Sequence, residues 1–185
     1  MSGKLIEIVA YRAEWPAEFA ALAGALRGVT GTLHHIGSTS VQGLAAKDVI
    51  DLQLTVPNLP DSSDELIEAA GFKKGTPTSD HCPPGMTLAA DELAKKYFRS
   101  TGRAAHLHVR EQGRFNQRYP LLCRDYLRSH TSAADAYAEI KKQLARYFPN
   151  DVDAYYDVKD PVFDVLMAGA ADWAKMTDWR EPPGD

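Results

Sequence analysis

The segment at positions 49–56, "VIDLQLTV", constrains the fold more strongly than any other part of this sequence, because its side chains alternate between two kinds. One set of alternate positions is entirely aliphatic: Ile50, Leu52, Leu54 and Val56. The other set is mixed: Val49, Asp51, Gln53 and Thr55. Since successive side chains of a β-strand point to opposite faces, the pattern predicts a strand with one apolar face for packing. Asp51 and Gln53 lie together on the other face.

The spacing of apolar residues divides the chain into two halves. In the first half, strands are predicted over 4–11, 32–37, 49–56, 94–100 and 104–111, and helices over 15–29 and 64–72. Within that half, residues 73–91 are rich in Gly, Pro and Thr, which indicates a long loop, either a lid over a site or a surface insertion. In the second half, helices are predicted over 114–130, 131–148 and 159–176, and the last nine residues are expected to fray.

Several residues of the second half predict details of these helices. Pro120 indicates a kink or a late start in the first helix, and Pro161 is expected in the first turn of the third. Ser132 and Asp135 have the spacing of a capping box at the start of the second helix. The charged residues of these helices are interpreted as solvent-facing: Arg124, Arg128, Lys141 and Lys142.

Together these elements predict an α+β fold, in which a mixed β-sheet with flanking helices is followed by a C-terminal helical region packed against it. The 185 residues suit one domain. We expect an α/β core over residues 1–110 and a helical region over 111–180. A cleft between the two parts is the expected ligand site.

The composition narrows the class of function. The chain has 21 Lys+Arg and 25 Asp+Glu, a net charge of -4, which argues against a nucleic-acid-binding surface. Cys82 and Cys123 show no metal-ligand spacing, so both are expected to be thiols. The start lacks the pattern of a signal peptide, and no apolar segment is long enough for a membrane span. We therefore expect a cytoplasmic protein without a membrane partner.

The turn "GSTS" after the second predicted strand is a candidate phosphate site. Gly37, Ser38 and Thr39 present backbone N–H groups and hydroxyls near a helix start, where anions are favoured. Asp51 on the neighbouring strand can hold Mg²⁺ against phosphates bound there. Two plainer interpretations stay open, namely a serine-capped turn and a structural ion pair between Asp51 and Lys47 or an arginine.

Other polar residues can contribute to the same site. Lys47 and Arg99 supply positive charge for a phosphate pocket, or are solvated surface charges. His106 and His108, two apart on a predicted strand, share a face. With Asp51 or His35 they can bind a transition metal, but the interpretation that we prefer is that one histidine hydrogen-bonds within the fold and the other is partly exposed.

The segment "HIGSTSVQGLAAKDVIDLQLTV" resembles the signature of the GrpB family, a member of the nucleotidyltransferase superfamily. Further stretches agree in order along the chain: "YRAEWPAEF", "KKYFRS", "HLHV", "RDYLRSHTSAADAYAEIKKQLA" and "YYDVKDPVF". The resemblance implies a nucleotidyltransferase-like mixed sheet. It also implies that a Gly-Ser motif, matched by Gly37 and Ser38, binds a triphosphate, and that three acids hold two metal ions. Asp51 matches the first acid, Gln53 stands in place of the second, and His106 or His108 falls where the third is expected.

Because neutral groups stand where the superfamily motif has acids, the sequence leaves more than one function open. One carboxylate and an amide cannot neutralise two Mg²⁺ ions as three carboxylates do. The leading hypothesis is an enzyme that binds an NTP and Mg²⁺ and transfers a nucleotidyl group to a small molecule, with Asp51, Gln53 and His108 as catalytic residues. The alternatives are a protein that binds a nucleotide or another phosphorylated metabolite without transfer, and a His-lined metal site with another activity.

Overall fold

The computed structural model describes residues 5–185 and contains a five-stranded mixed sheet with α-helices around it. The strands are β1 (Thr32–Ile36), β2 (Ile50–Val56), β3 (Phe72–Lys74), β4 (Lys95–Ser100) and β5 (Ala105–Glu111). The helices are α1 (Trp15–Ala25), α2 (Asp64–Ala69), α3 (Phe115–Ser129), α4 (Thr131–Tyr147) and α5 (Val152–Thr177). The strand order is β1-β2-β5-β4-β3; β2 and β5 are parallel, and the other neighbours are antiparallel. The predicted α+β fold is confirmed.

The aliphatic face of β2 forms the centre of the main hydrophobic core. Ile50, Leu52 and Leu54 are completely buried. Trp15 of α1 and Ile67 of α2 are also completely buried in this cluster, so both helices cover the same face of the sheet. Because burying one large aliphatic side chain contributes about 1.5–3 kcal/mol, the alternation in β2 both selects the strand's orientation and stabilises it.

The first predicted strand is wrong. Position 4 lies outside the described residues, and over 5–11 the backbone makes one isolated bridge, from Val9 to Ala46. Ile6 is buried with Leu144 and Tyr155, residues of α4 and α5. Ile6 therefore packs against helices, whereas Val9 and Tyr11 pack against the main core cluster, and the segment does not form a strand.

The predicted helix starts in the second half also need correction. Helix α3 begins at Phe115 and contains Pro120, so a late start is excluded. Helix α5 begins seven residues before the predicted position 159, with Asp151 as its cap, and Pro161 lies in its interior. The capping box of α4 does not form, because His130 ends α3 and directly precedes α4.

The C-terminal segment 178–185 packs against the sheet, and the expectation that it frays is wrong. The backbone N–H of Asp185 donates to the carbonyl of Leu33 in β1 at 3.0 Å. The Asp185 carboxylate pairs with Arg124 at 2.8 Å, and the Trp179 indole donates to Asp125 at 2.9 Å. Since β1 is an edge strand, this segment partly satisfies a row of backbone groups that the sheet itself leaves open.

Candidate functional site

The polar face of the sheet and helices α3, α4 and α5 enclose a cavity of about 600 Å³. Side chains of β2, β5 and the turn after β1 form its floor. The loop between β3 and β4 closes one side with Pro77, Asp80 and His81. This is the cleft expected between the sheet and the helical region, and the long loop contributes to its wall.

Three possible metal ligands meet on the cavity floor. Asp51 of β2 lies opposite His106 of β5 in the parallel register, and His108 is two residues further along β5. One ligand atom of each lies within 4.8 Å of the other two. His35, the other histidine considered for a metal site, lies elsewhere: its ring stacks on Phe19, on the opposite face of the sheet. The structure thus brings together an Asp/His group that can hold a metal ion.

The partner of Asp51 is a histidine rather than a lysine or arginine. Its Oδ1 lies 3.3 Å from Nδ1 of His106. Burial raises the pKa of the Asp51 carboxyl, but the hydrogen bond and charge of His106 outweigh it and leave the pKa below its usual value. Burial, followed by the charge of Arg110, lowers the pKa of His108 to about 3, so this imidazole is neutral at pH 7.

The turn after β1 lies directly against Asp51. Gly37 has φ of +70° and ψ of -173°, a conformation that a residue with a side chain adopts only under strain. A Cβ at Gly37 would lie 2.5 Å from Oδ2 of Asp51. Glycine is needed here both for the backbone conformation and for the close approach of the carboxylate. Ser38 and Thr39 follow it and line the cavity.

Two lysines line the cavity without an acidic partner, and one of them contacts this turn. Lys141 of α4 is 2% exposed and donates from Nζ to Oγ of Ser38 at 2.8 Å. Lys47 lies 4.1 Å and 4.4 Å from the ring centroids of Tyr155 and Tyr156. Among the residues from 5 to 185, no carboxylate approaches either ammonium group within 4.0 Å. The turn is therefore in contact with a lysine amine that has no carboxylate partner.

The titration of both lysines reflects this environment. Burial, followed by the charge of Lys159, lowers the pKa of Lys141 to about 7 and that of Lys47 to about 8. An anion bound between them would reverse this effect, because it favours the charged form of each ammonium group.

Gln53 does not line the cavity, and its side chain is completely buried. Its Oε1 accepts a hydrogen bond from Nη1 of Arg110 at 2.8 Å, and its Nε2 donates to the carbonyl of Gln117 at 2.9 Å. Arg110 also binds Asp80, the residue that anchors the long loop. Despite burial, the charges of Arg110 and Lys95 keep the pKa of Asp80 well below its usual range. Gln53 is thus the neutral partner of a buried, already paired arginine.

Arg99 also lies outside the cavity lining. Its side chain is exposed, and its Nε donates to the hydroxyl of Tyr97 at 3.1 Å. Of the candidate site residues named from the sequence, the structure brings seven to the cavity: Gly37, Ser38, Thr39, Lys47, Asp51, His106 and His108.

Sequence reasoning missed Lys141, and its assignment to a solvent-facing surface is wrong, as is that of Arg124. Both side chains are 2% exposed. One signal could have found Lys141: it lies four residues after Tyr137 and three before Leu144, on the apolar stripe of α4. A lysine on a buried stripe needs a polar partner, and here that partner is Ser38, 103 residues earlier in the chain.

Comparison with known proteins places the chain in a family. The model of the GrpB protein family matches residues 5–168. This chain belongs to the GrpB family. The GrpB crystal structure from Enterococcus faecalis superposes with a TM-score of 0.71 at 26% identity, covering 90% of this chain and 98% of that one. The α+β architecture is therefore the GrpB fold.

Two further relatives are longer than this GrpB protein. UPF0157 protein YqkA of Bacillus subtilis is 34% identical over 178 residues, which cover 92% of this chain and 48% of that protein. A dephospho-CoA kinase of Mycolicibacterium paratuberculosis is 32% identical over 189 residues, which cover 90% of this chain and 46% of that protein. The chain thus spans about half the length of these two relatives. None of its described helices is both long and apolar enough to cross a membrane.

Proposed function

We propose that this GrpB protein binds a phosphorylated small molecule, with a nucleotide as the first candidate, and holds its phosphate at the turn Gly37–Thr39. The observation that carries the proposal is the contact of Lys141 with Ser38 in this turn, together with a second lysine, Lys47, that lines the same cavity; neither has a carboxylate partner. A hydrogen bond to a charged group contributes about 1.5–3 kcal/mol, more than one between neutral groups. A phosphate with several oxygens can use both lysines and the turn.

The remaining cavity wall suits the organic part of such a ligand. The cavity volume of about 600 Å³ is in the range of small-molecule sites. Five tyrosines line it: Tyr97, Tyr119, Tyr137, Tyr155 and Tyr156. Aromatic rings offer a stacking surface for a nucleobase, which is flat and has its own π system. The name of the mycobacterial relatives, dephospho-CoA kinase, supports a phosphate-bearing class of ligand.

Nucleotidyl transfer is the second candidate, as the resemblance to the nucleotidyltransferase superfamily implies. It is favoured by the contact between Gly37 and Asp51, which sets the phosphate turn beside the first acid of the superfamily motif. The Mg²⁺ chemistry of that superfamily does not fit the residues present. Mg²⁺ prefers oxygen ligands in octahedral geometry, whereas the groups beside Asp51 here are two imidazoles. The side-chain oxygen of Gln53 already accepts a hydrogen bond from Arg110. Ligand binding without transfer is therefore the function that we place first.

Binding is tested by calorimetry and thermal unfolding with ATP, GTP, coenzyme-A-type nucleotides and inorganic pyrophosphate. A ligand at 100 times its Kd adds about 2.7 kcal/mol to the free energy of unfolding, which gives a clear rise in Tm. Ser38→Ala and Lys141→Met should weaken binding. Lys142→Met is the matched control, because Lys142 is exposed on the same helix and pairs only with Glu139.

The outcome decides between the two candidates. Binding without release of pyrophosphate from NTPs supports a binding protein, and pyrophosphate release that Asp51→Asn abolishes supports nucleotidyl transfer. If none of these compounds raises Tm, or if Lys142→Met weakens binding as much as Lys141→Met, the phosphate proposal is wrong.

A further inference from the structure

The group of Asp51, His106 and His108 is separate from the lysines that carry the phosphate proposal. It stands on the two parallel strands at the centre of the sheet, where backbone hydrogen bonds on both sides hold β2 and β5 in place. We infer that this group binds a divalent transition-metal ion of the zinc class in preference to Mg²⁺. The inference does not depend on a phosphate ligand.

The distances within the group fit a single ion. Two ligands of a tetrahedral zinc ion, each at about 2.0–2.1 Å, are about 3.4 Å apart. Oδ1 of Asp51 and Nδ1 of His106 are 3.3 Å apart. One ion can therefore bind both atoms without movement of either strand. A ligand atom of His108 is near enough, within 4.8 Å of each, for a rotation of its ring to complete the set.

The kinds of donor atom favour a transition metal. Imidazole nitrogen suits zinc, copper, iron and nickel, whereas Mg²⁺ takes carboxylate, phosphate and water oxygens. Two imidazoles and one carboxylate also form the ligand set of several zinc hydrolases and of non-haem iron sites. Three protein ligands leave at least one coordination position for water or a ligand, and all three residues line the cavity.

The surrounding charges leave Asp51 available to a cation. No lysine or arginine of residues 5–185 approaches its carboxylate within 4.0 Å. Lys47 is held over Tyr155 and Tyr156 instead. Arg110 approaches the group at His108, where its Nη2 lies 3.5 Å from Nδ1 of the ring. The charge of Arg110 is matched by the carboxylate of Asp80, so it does not act as an isolated repulsive charge on a metal ion.

The backbone also supports the carboxylate. The Gly37 turn packs so closely on Asp51 that a Cβ would overlap its Oδ2. Such contact limits the positions that the Asp51 side chain can take. A ligand that is already held in place loses less conformational entropy when an ion binds, which raises the affinity of the site.

The experiment is a titration of metal-stripped protein with Zn²⁺, Mn²⁺ or Mg²⁺ by calorimetry, in a buffer without phosphate. We expect about one Zn²⁺ per chain, bound more than about 100-fold more tightly than Mg²⁺. Asp51→Asn and His106→Gln should each weaken Zn²⁺ binding by more than about tenfold, since loss of even a hydrogen-bond partner behind a ligand costs about 10- to 100-fold.

The matched control is Cys82→Ser, which removes an exposed thiol that could collect zinc adventitiously and that does not line the cavity. This variant should keep the tight site. Loss of zinc binding in Cys82→Ser together with its retention in His106→Gln would overturn the inference, as would Mg²⁺ binding as tightly as Zn²⁺.

A spectroscopic measurement keeps the test valid if a triad variant fails to fold. Co²⁺ bound to the unmodified protein should show the visible absorption of a nitrogen- and oxygen-ligated ion of low coordination number. A thiolate-to-cobalt charge-transfer band would show instead that the ion binds at a cysteine, and the triad would not be the site. Because no phosphate compound is present, failure here leaves the proposed ligand-binding function untouched.

Discussion

The two faces of β2 differ in what they bury, although their residues alternate along one strand. The aliphatic face is completely buried, and side chains of α1 and α2 pack on it. The opposite face borders a cavity at Asp51, whose carboxylate meets histidines of β5, while Gln53 on the same face is buried against Arg110. The first face stabilises the fold, while the second carries polar groups of the candidate site. Stability and binding should therefore respond separately to substitutions that are one residue apart.

The largest expected effect comes from the packed face. Leu52→Ala removes a completely buried side chain and should lower the free energy of unfolding by about 2–5 kcal/mol. Urea denaturation measures this loss. In the fraction that stays folded, the Kd for a phosphate ligand should be unchanged, because Leu52 faces away from the cavity. A large change in Kd with little loss of stability would contradict the separation of the two faces.

The next effect comes from the turn that contacts Asp51. Gly37→Ala places a Cβ at 2.5 Å from the carboxylate, at a backbone conformation that disfavours alanine by about 1–3 kcal/mol. Gly43→Ala is the matched control, because Gly43 also has a positive φ, of +82°, but open space around its Cβ. Both variants should lose stability in thermal unfolding. Only Gly37→Ala should also weaken zinc and phosphate binding, and equal losses of binding in both would mean that the contact with Asp51 is unimportant.

A smaller effect is expected at Gln53. Gln53→Leu removes the acceptor of a buried arginine and should cost about 1–3 kcal/mol of stability, measured by urea denaturation. Gln53→Glu should not tighten metal binding, because the new carboxylate would face Arg110 rather than the triad. Calorimetry checks this: an increase in Mg²⁺ affinity in Gln53→Glu would show that position 53 belongs to the metal site after all.

The last effect is a pH dependence of binding. Lys141 and Lys47 lose their charge as the pH rises through about 7 and about 8. The affinity for a fully ionised phosphate ligand should therefore fall between pH 7 and 9, by at most about tenfold per pH unit for each lysine. Calorimetry across this range measures the decrease, and Lys141→Arg, which stays charged, should reduce it.

Stability should change in the opposite direction with pH. In the unfolded chain Lys141 titrates near 10.5, so between about pH 7 and 10 the unfolded state binds more protons than the folded state. The contribution of Lys141 to the free energy of unfolding therefore rises over this range. Lys141→Met should remove that rise, and a pH profile of stability unchanged by this substitution would contradict the assignment.

Much of the sheet could be predicted from the sequence because strand alternation is a local signal. The strand β1, the strand β2 and the hairpin of β4 and β5 lie where the pattern indicated. The segment 5–11 has similar alternation but forms no strand: Ile6 packs on α4 and α5, while Val9 and Tyr11 pack on the main core cluster. An alternating pattern predicts which side chains are buried, but it does not predict whether a sheet or a helix covers them.

The sequence by itself also indicated the family, the glycine turn and the position of Asp51 on the polar face of β2. Only the tertiary structure decided what meets Asp51 and Gln53. His106, 55 residues after Asp51 in the chain, faces it from the neighbouring parallel strand. Arg110, 57 residues after Gln53, donates a hydrogen bond to its side chain. Lys141 reaches Ser38 from a helix 103 residues later. Periodicity along the chain sets the face on which a side chain lies, but its partners depend on how distant segments pack, and no local pattern contains that information.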